Sequence, residues 1–357
     1  GGPMVEQAMK CSVVMATFNG STHVGAQLES LRAQSRAPDE LIVSDDGSSD
    51  GTLAIVHSFR RNAPFPVEVV SAPRLGCAEN FWQAAQHAHG EAVAWCDQDD
   101  VWHPDKLALC LAALADHGAS MVAHAAAVVG AELEPTGRAH PHYRKLRVLG
   151  PLEGDPLHVP PGFASVFLRT LLDEVDWANR PVSHQHHYQL PHDHAVSLYV
   201  FGAHRRVELP DALAQYRQHG RNLAGAPKPP RVADIRVALR DAGDGYAALA
   251  ERVSGYARWF EGAGRNEAGG YFRELAQRAL LRHNLRGQAA VPQRWASLAS
   301  GVRAGAYRGR YRGGFGTGAM ASDLASLCLA TGAVAAARIG AGGPGRRRGR
   351  LGSVDQR

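Results

Sequence analysis

"AVAWCDQDDVWHPDKL", residues 92–107, runs a short apolar stretch directly into three acids, Asp97, Asp99 and Asp100. An apolar run of this length bounded by polar residues reads as a buried strand. Pro104, followed by Leu107, Leu111 and Leu114, reads as the opening of a helix, because proline's missing N–H costs nothing in a first turn. Like charges delivered by a strand's end are tolerable only when they are solvated or share a cation. The order strand, acids, helix is the unit from which the rest of the chain can be read.

Upstream, the same unit occurs three more times. "CSVVMA" (11–16) precedes "VGAQLESLRAQ", which places Val24, Leu28 and Leu31 on one helical face. "ELIVSDD" (40–46) leads through the turn residues "GSSDGT" into "LAIVHSF", and "VEVVSA" (67–72) precedes "CAENFWQAAQHA". Four strand–helix units predict an α/β fold, a Rossmann-like, mostly parallel sheet flanked by helices, with right-handed crossovers. Ligands in such sheets gather at the carboxyl ends of the strands. Thr17 and Asn19 follow the first strand, Asp45 and Asp46 the second, and Asp97, Asp99 and Asp100 the fourth.

Past residue 120 the alternation weakens. "MVAHAAAVVG" reads as a strand, "VPPGFASVFLR" (159–169) as a turn and strand, "HDHAVSLYVFG" (192–202) as a helix start, and "RRVEL" as a strand before "ALAQYRQHGRN". The composition shifts at "APKPP" (226–230), after which the pattern is helical and rich in Ala, Arg and Leu. The expected division is a catalytic domain over 1–225, a helical C-terminal region over 226–340 and a basic flexible tail over 341–357. No internal repeat is present.

Composition narrows the function. The chain has 357 residues, 45% of them apolar, with 39 Lys+Arg against 34 Asp+Glu. Much of the small basic excess lies in "RGRYRGG" and "GRRRGR", so the body is near neutral and no nucleic-acid partner is expected. Five cysteines with no CxxC spacing point to neither a disulfide framework nor a zinc ribbon, and a reducing, cytoplasmic location is expected. The longest apolar run near the end, "LASLCLATGAVAAA" (324–337), is too short to span a bilayer. With the arginines downstream it fits a packed helix or one resting on the cytoplasmic face of an inner membrane.

Hard carboxylate oxygens suit Mg2+ or Mn2+, which keep substrate phosphates in the rest of their shell. A divalent ion held by the acid cluster and bridging to a diphosphate is therefore one reading of it. A solvated loop is the other.

Six stretches in order decide between them: "VVMATFNG", "LIVSDDGSSDGT", "RLGCAENFWQAA", "VAWCDQDDVWHPDKL", "LPHDHAVSLY" and "AQYRQHGRN". Together, over about residues 10–225, they resemble glycosyltransferase family 2, with the GT-A fold, in its rhamnosyltransferase-like branch. The resemblance implies an inverting, metal-dependent transfer of a sugar from a dTDP- or UDP-linked donor to a hydroxyl of a glycan or lipid-linked acceptor. It implies a donor-binding half over about 10–120 and an acceptor half over about 121–225. Thr17, Asn19 and Asp45 match positions lining the nucleotide pocket, with Asp45 facing the N3–H of a pyrimidine. Asp97, Gln98 and Asp99 match the DXD motif, with Asp99 the metal ligand and Asp97 nearer the ribose or the waters of the metal. Asp193 matches the catalytic base, the group that an acceptor hydroxyl, a poor nucleophile, requires. His219 matches a position that reaches the metal and diphosphate. Arg217 and Trp102 are candidates for a diphosphate or sugar contact.

Other readings remain beside this one. "DQDDV" also fits a haloacid-dehalogenase-like phosphotransferase, although that motif belongs after a first strand and here three units precede it. A non-catalytic carbohydrate-binding protein would be expected to lack Asp99 or Asp193. The histidines of "SHQHHYQLPHDH" (183–194) lack the i,i+4 register of a helical zinc site, and a loop rimming the acceptor cleft is expected. The helices after residue 230 could pack on the catalytic domain, close the acceptor groove or form a homodimer interface.

Overall fold

The structure is a computed structural model that describes residues 9–71, 74–182, 188–220, 222, 242–286 and 291–303, with positions 320, 323, 324 and 327. The first half has the expected alternation: β1 (Cys11–Thr17), α1 (Val24–Arg32), β2 (Glu40–Asp45), α2 (Thr52–Asn62), β3 (Val67–Ser71), α3 (Cys77–Ala85) and β4 (Ala92–Cys96). After the acids come β5 (Val101–Trp102) and α4 (Lys106–His117). The helix begins two residues later than Pro104 suggests, because Pro104 and Asp105 are spent in the turn that precedes it.

The second half holds β6 (Met121–Val129), β7 (Pro135–Ala139), β8 (Arg147–Leu149), a single 3-10 turn (Gly162–Ala164), β9 (Ser165–Leu168), α5 (Leu171–Glu174), α6 (His192–Ala203) and β10 (Arg206–Arg217). Three C-terminal helices follow: α7 (Ala242–Gly262), α8 (Asn266–Arg286) and α9 (Val291–Arg303). The strand order is β3-β2-β1-β4-β9-β6-β10-β5, with β7 beside β6 and β8 beside β10. Strands β3, β2, β1 and β4 run parallel as expected. Beyond β4 the periodicity conceals a reversal, since β9 is antiparallel to both β4 and β6. "RRVEL" and the stretch after it form one long strand, β10, parallel to β6.

Alternate residues of each central strand enter opposite faces, as the period of a strand requires. Val13, Met15, Leu41, Val43, Ala94 and Cys96 meet α1, α2 and α4, while Val14, Ile42, Val93 and Trp95 meet α3 and α6. Phe260 of α7 and Phe272 of α8 belong to that second core. Helices α7 and α8 thus pack against the sheet and its helices. The expected boundary near 226 and the tail from 341 lie outside the described residues.

Part of the 324–337 segment is described, and it turns inward. Leu327 packs with Leu285 and Leu298. Asp323, fully buried, takes Arg282 (2.7 Å) and Arg286 (2.7 Å). Among the described residues no helix is long and apolar enough to cross a membrane.

Candidate active site

Topology gathers the polar strand ends at one place. Strand β5 pairs antiparallel with β10, Ala214 opposite Trp102, so the end of β10 is delivered beside the acids that follow β4. His219 Nε2 thereby reaches Asp99 Oδ2 at 2.8 Å, and the Asn222 amide approaches the same oxygen at 3.4 Å. The His23 ring, just before α1, stacks on His219 with centroids 4.8 Å apart. The third member of the cluster, Asp100, is fully buried, with Oδ1 accepting the Arg217 N–H at 3.0 Å.

Asp97, Asp99 and Asp100 each offer an oxygen within 4.8 Å of the others. Burial first, then the carboxylates of Asp99 and Asp193, push Asp97 up to about 8. Asp100 is raised as well, by burial and then by Asp97 and Asp99. Its Oδ2 is buried with no hydrogen-bond partner. Such crowding favours a cation between the groups. An all-oxygen set with a free buried oxygen and a neighbouring imidazole fits Mg2+ or Mn2+.

Asp193 stands in the first turn of α6, where the helix dipole favours negative charge. Its Oδ1 accepts the His194 N–H (2.8 Å) and its Oδ2 the Gly162 N–H (3.1 Å). Gly162 is near because β9 runs antiparallel to β4, which brings the turn before β9 to the carboxyl end of β4. Asp193 also lies within electrostatic reach of Asp97.

Several sequence expectations need correction. Arg217 does not face a phosphate: its guanidinium is buried, donating to the carbonyls of Asp99 (2.7 Å) and Ala131 (2.6 Å). It braces the acid loop instead. Trp102 is buried below that loop, its ring face 3.4 Å from the Lys106 ammonium, and is no sugar platform. Asp45 offers no open oxygen to a base. Its carboxylate accepts Thr17 Oγ1 (2.8 Å), Ser48 Oγ (2.6 Å), Ser48 N (2.8 Å) and Gly47 N (3.1 Å), which fills the four acceptor positions of a carboxylate. Thr17 is buried with it, so the pair shapes the turn after β2. Asn19, at φ +46°, takes the Ser49 N–H on Oδ1 (2.9 Å) and joins the same turn to β1. Of the histidine-rich stretch, residues 183–187 lie outside the described residues.

Other residues were not foreseen. Phe18 stands 49% exposed between Thr17 and Asn19, the one large apolar side chain at these strand ends open to solvent, and that neighbourhood was the available signal. Gln98 bridges to its backbone, accepting the Phe18 N–H and donating to its carbonyl, both at 3.0 Å. A Cβ on Gly20 would lie 2.1 Å from Gln98 Oε1, so that bridge requires glycine there. Cys77, open to solvent at the start of α3, has its thiol pushed up by its surroundings and by Asp97, Asp193, Asp46 and Asp99. It therefore lies within electrostatic reach of those four carboxylates.

Residues 12–176 match the model of glycosyl transferase family 2. A Nostoc protein described as an uncharacterized glycosyltransferase is 31% identical over 99 residues, 28% of this chain and 31% of that protein. The Shigella flexneri dTDP-rhamnosyl transferase RfbG is 31% identical over 98 residues, 26% of this chain and 34% of the relative. The matched region thus spans about a third of each relative's length. The crystal structure of Staphylococcus aureus TarS 1-349 in complex with UDP-GlcNAc superimposes with a TM-score of 0.52 at 20% identity, covering 83% of this chain and 81% of that one. That likeness shows the GT-A fold.

Proposed function

We propose, from a glycosyl transferase family 2 domain over residues 12–176, that the chain moves a sugar from a nucleoside diphosphate to an acceptor hydroxyl with inversion at the anomeric carbon. The observation that carries this reading is the crowding of three carboxylates, Asp97, Asp99 and Asp100, each with an oxygen within 4.8 Å of the others, with Asp193, held by two backbone N–H groups, within electrostatic reach of Asp97.

Asp99, with His219 and the free oxygen of Asp100, would hold Mg2+ or Mn2+, and the bound ion would supply positive charge to the diphosphate. The rest falls to the chain's own groups. Asp193 accepts the proton of the acceptor hydroxyl as that oxygen bonds to the anomeric carbon, and the bond to the diphosphate breaks on the opposite face. The two backbone N–H groups on Asp193 aim its carboxylate. Phe18 offers an exposed face for a pyrimidine base, with Asn19 at the pocket's edge and Asp97 toward the ribose. The names of the relatives support dTDP-rhamnose and UDP-N-acetylglucosamine as the first donors to try.

For the acceptor the proposal is a glycan or lipid-linked hydroxyl in cell-surface polysaccharide synthesis. Charge supports a membrane-adjacent site. From residue 291 on, the chain has eleven arginines and no lysine against two aspartates, a net +9, which leaves −4 for the first 290 residues. Helix α9 shows Trp295 (41% exposed), Ala299 and Val302 (50% exposed) along one face. An apolar face with Arg303 beside it suits an anionic lipid surface.

The experiment is a nucleotide-sugar panel with Mg2+ or Mn2+, reading thermal protection and product. A ligand that binds the native state raises the melting temperature with occupancy. Release of nucleoside diphosphate supports the proposal, and release of pyrophosphate or a phosphorylated Asp97 opposes it.

A further inference from the structure

Lys106, the first residue of α4, is fully buried. Lysine is almost never fully buried unless paired, since the ammonium loses its water. Here Nζ sits 3.4 Å from the Trp102 ring centroid and donates to the carbonyl oxygen of Phe163 at 2.5 Å. Methionine would fill the same space without burying a charge, so packing alone gives no reason for a cation. Its hydrogen bond does.

Phe163 is the middle residue of the 3-10 turn, and that turn's first residue donates its N–H to Asp193. Within the turn Ser165 Oγ donates to the Gly162 carbonyl at 2.8 Å and Ala164 N to the Pro161 carbonyl at 2.9 Å, and the buried His124 also approaches the Phe163 backbone. It is also tight against α6. A Cβ at Gly162 would lie 3.1 Å from His192 Nε2 and 3.3 Å from the Asp193 Cβ, closer than ordinary contact. A short rigid turn thus stands between the buried ammonium and the carboxylate, fixed at one end by Lys106 and touching Asp193 at the other.

We propose that Lys106 is a positioning residue for Asp193, acting through the 162–164 turn: the ammonium holds the Phe163 carbonyl, and the turn so held presents the Gly162 N–H that aims the Asp193 carboxylate. The inference rests on Asp193 being the base. Lys106 also lies within electrostatic reach of Asp97 and Asp100, so the test must separate an effect on the base from one on the acids.

The test compares wild type with Lys106→Met, Gly162→Ala and the double variant in the full chain. Two quantities are read. Calorimetric titration of UDP and of dTDP with Mn2+ reads the acid side of the cleft. Hydrolysis of UDP-N-acetylglucosamine or dTDP-rhamnose, with water as acceptor, reads the base. A displacement of about 1 Å can cost a hundredfold in rate. Lys106→Met is expected to lower kcat tenfold to a hundredfold with KM and nucleotide affinity within twofold of wild type. Gly162→Ala should do the same more mildly, by roughly three- to tenfold, since its neighbours must give only a few tenths of an ångström. The double variant should lose less than the product of the two, because both act on one carboxylate.

Unchanged kcat in both single variants overturns the proposal. Nucleotide affinity falling in step with kcat also overturns it, since Lys106 would then serve the acid cluster. If Lys106→Met fails to fold, Gly162→Ala decides alone by the same criteria. Asp193→Asn hydrolysing donor at the wild-type rate would instead show that Asp193 is not the base, a different failure from that of the bracket.

Discussion

His219 and Asp99 lie 120 residues apart in sequence and 2.8 Å apart in space, joined Nε2 to Oδ2. The contact exists because the two-residue strand β5 folds the acid loop back along β10. Both side chains keep some exposure, 15% for His219 and 20% for Asp99, so the pair is open to a ligand as well as to each other. Neutral imidazole and carboxylate together suit Mn2+.

His219→Ala is therefore expected to weaken Mn2+-dependent nucleoside diphosphate binding by roughly tenfold or more. The melting temperature without ligand should move little, because the partly exposed pair contributes modestly to stability. Calorimetric titration with and without Mn2+ checks both parts. An unchanged metal dependence would remove His219 from the site.

The His192 imidazole, 6% exposed and stacked on Phe81 with centroids 4.2 Å apart, has no hydrogen-bond partner on either nitrogen. Burial, partly offset by Asp193, holds its pKa down to about 4, against about 6.5 for a free histidine. The unfolded chain therefore binds the extra proton first, and stability falls as pH drops from about 6.5 to about 4. The loss amounts to about 3 kcal/mol for this group. Chemical denaturation at pH 7 and pH 4 should show that His192→Phe loses less between the two than wild type does. Equal losses would contradict the assignment.

Arg180 ties the segment leading to α6 onto α3. It donates to the carbonyls of Leu190 (2.8 Å) and Trp177 (2.7 Å), pairs with Glu79, and lies over the Trp177 ring, which itself stacks on Trp82 at 4.2 Å. Glu79 is 39% exposed and regains water when Arg180 is removed, so the cost is that of the carbonyls left unpaired, about 1–3 kcal/mol. Arg180→Met should lower the urea midpoint accordingly. A shift under about 0.5 kcal/mol, the level of an ordinary surface change, would show the cluster to be ornamental to stability.

The exposed stripe of α9 gives the membrane proposal a local test. Wild type should co-sediment with phosphatidylglycerol-containing vesicles and not with pure phosphatidylcholine, and binding should fall with salt. Trp295→Glu with Val302→Glu should abolish it while donor hydrolysis stays at the wild-type rate. Binding that survives both substitutions would exclude this face.

The parallel half of the fold was legible because each strand there ends in polar residues and is followed by a helix with a clear apolar face, as in β1 with Val24, Leu28 and Leu31. The antiparallel half was not. Periodicity reveals a strand's faces but not its direction, so the reversal of β9, and with it the approach of Gly162 to Asp193, left no mark in the residues. Site residues divided on the same ground. Asp97 and Asp99 lie together after β4 and Asp193 lies in the first turn of α6, places that the preceding apolar run and the helix start mark in the sequence, and the roles given to them are proposals. Arg217, Trp102 and Asp45 were misplaced because strand-end polarity does not say whether a side chain turns to the cleft or to a carbonyl beneath it. Lys106 carries no mark in the sequence beyond its place beside the apolar face of a helix, and only the fold shows its ammonium to be sealed inside.

The most direct test of the account is the product released from dTDP-rhamnose or UDP-N-acetylglucosamine by wild type and by Asp99→Asn, each with Mn2+ and with EDTA. The account predicts nucleoside diphosphate and free sugar from wild type with Mn2+ on at least one donor, and neither from Asp99→Asn nor in EDTA. Wild-type turnover by Asp99→Asn, or turnover in EDTA at the rate seen with Mn2+, would contradict it.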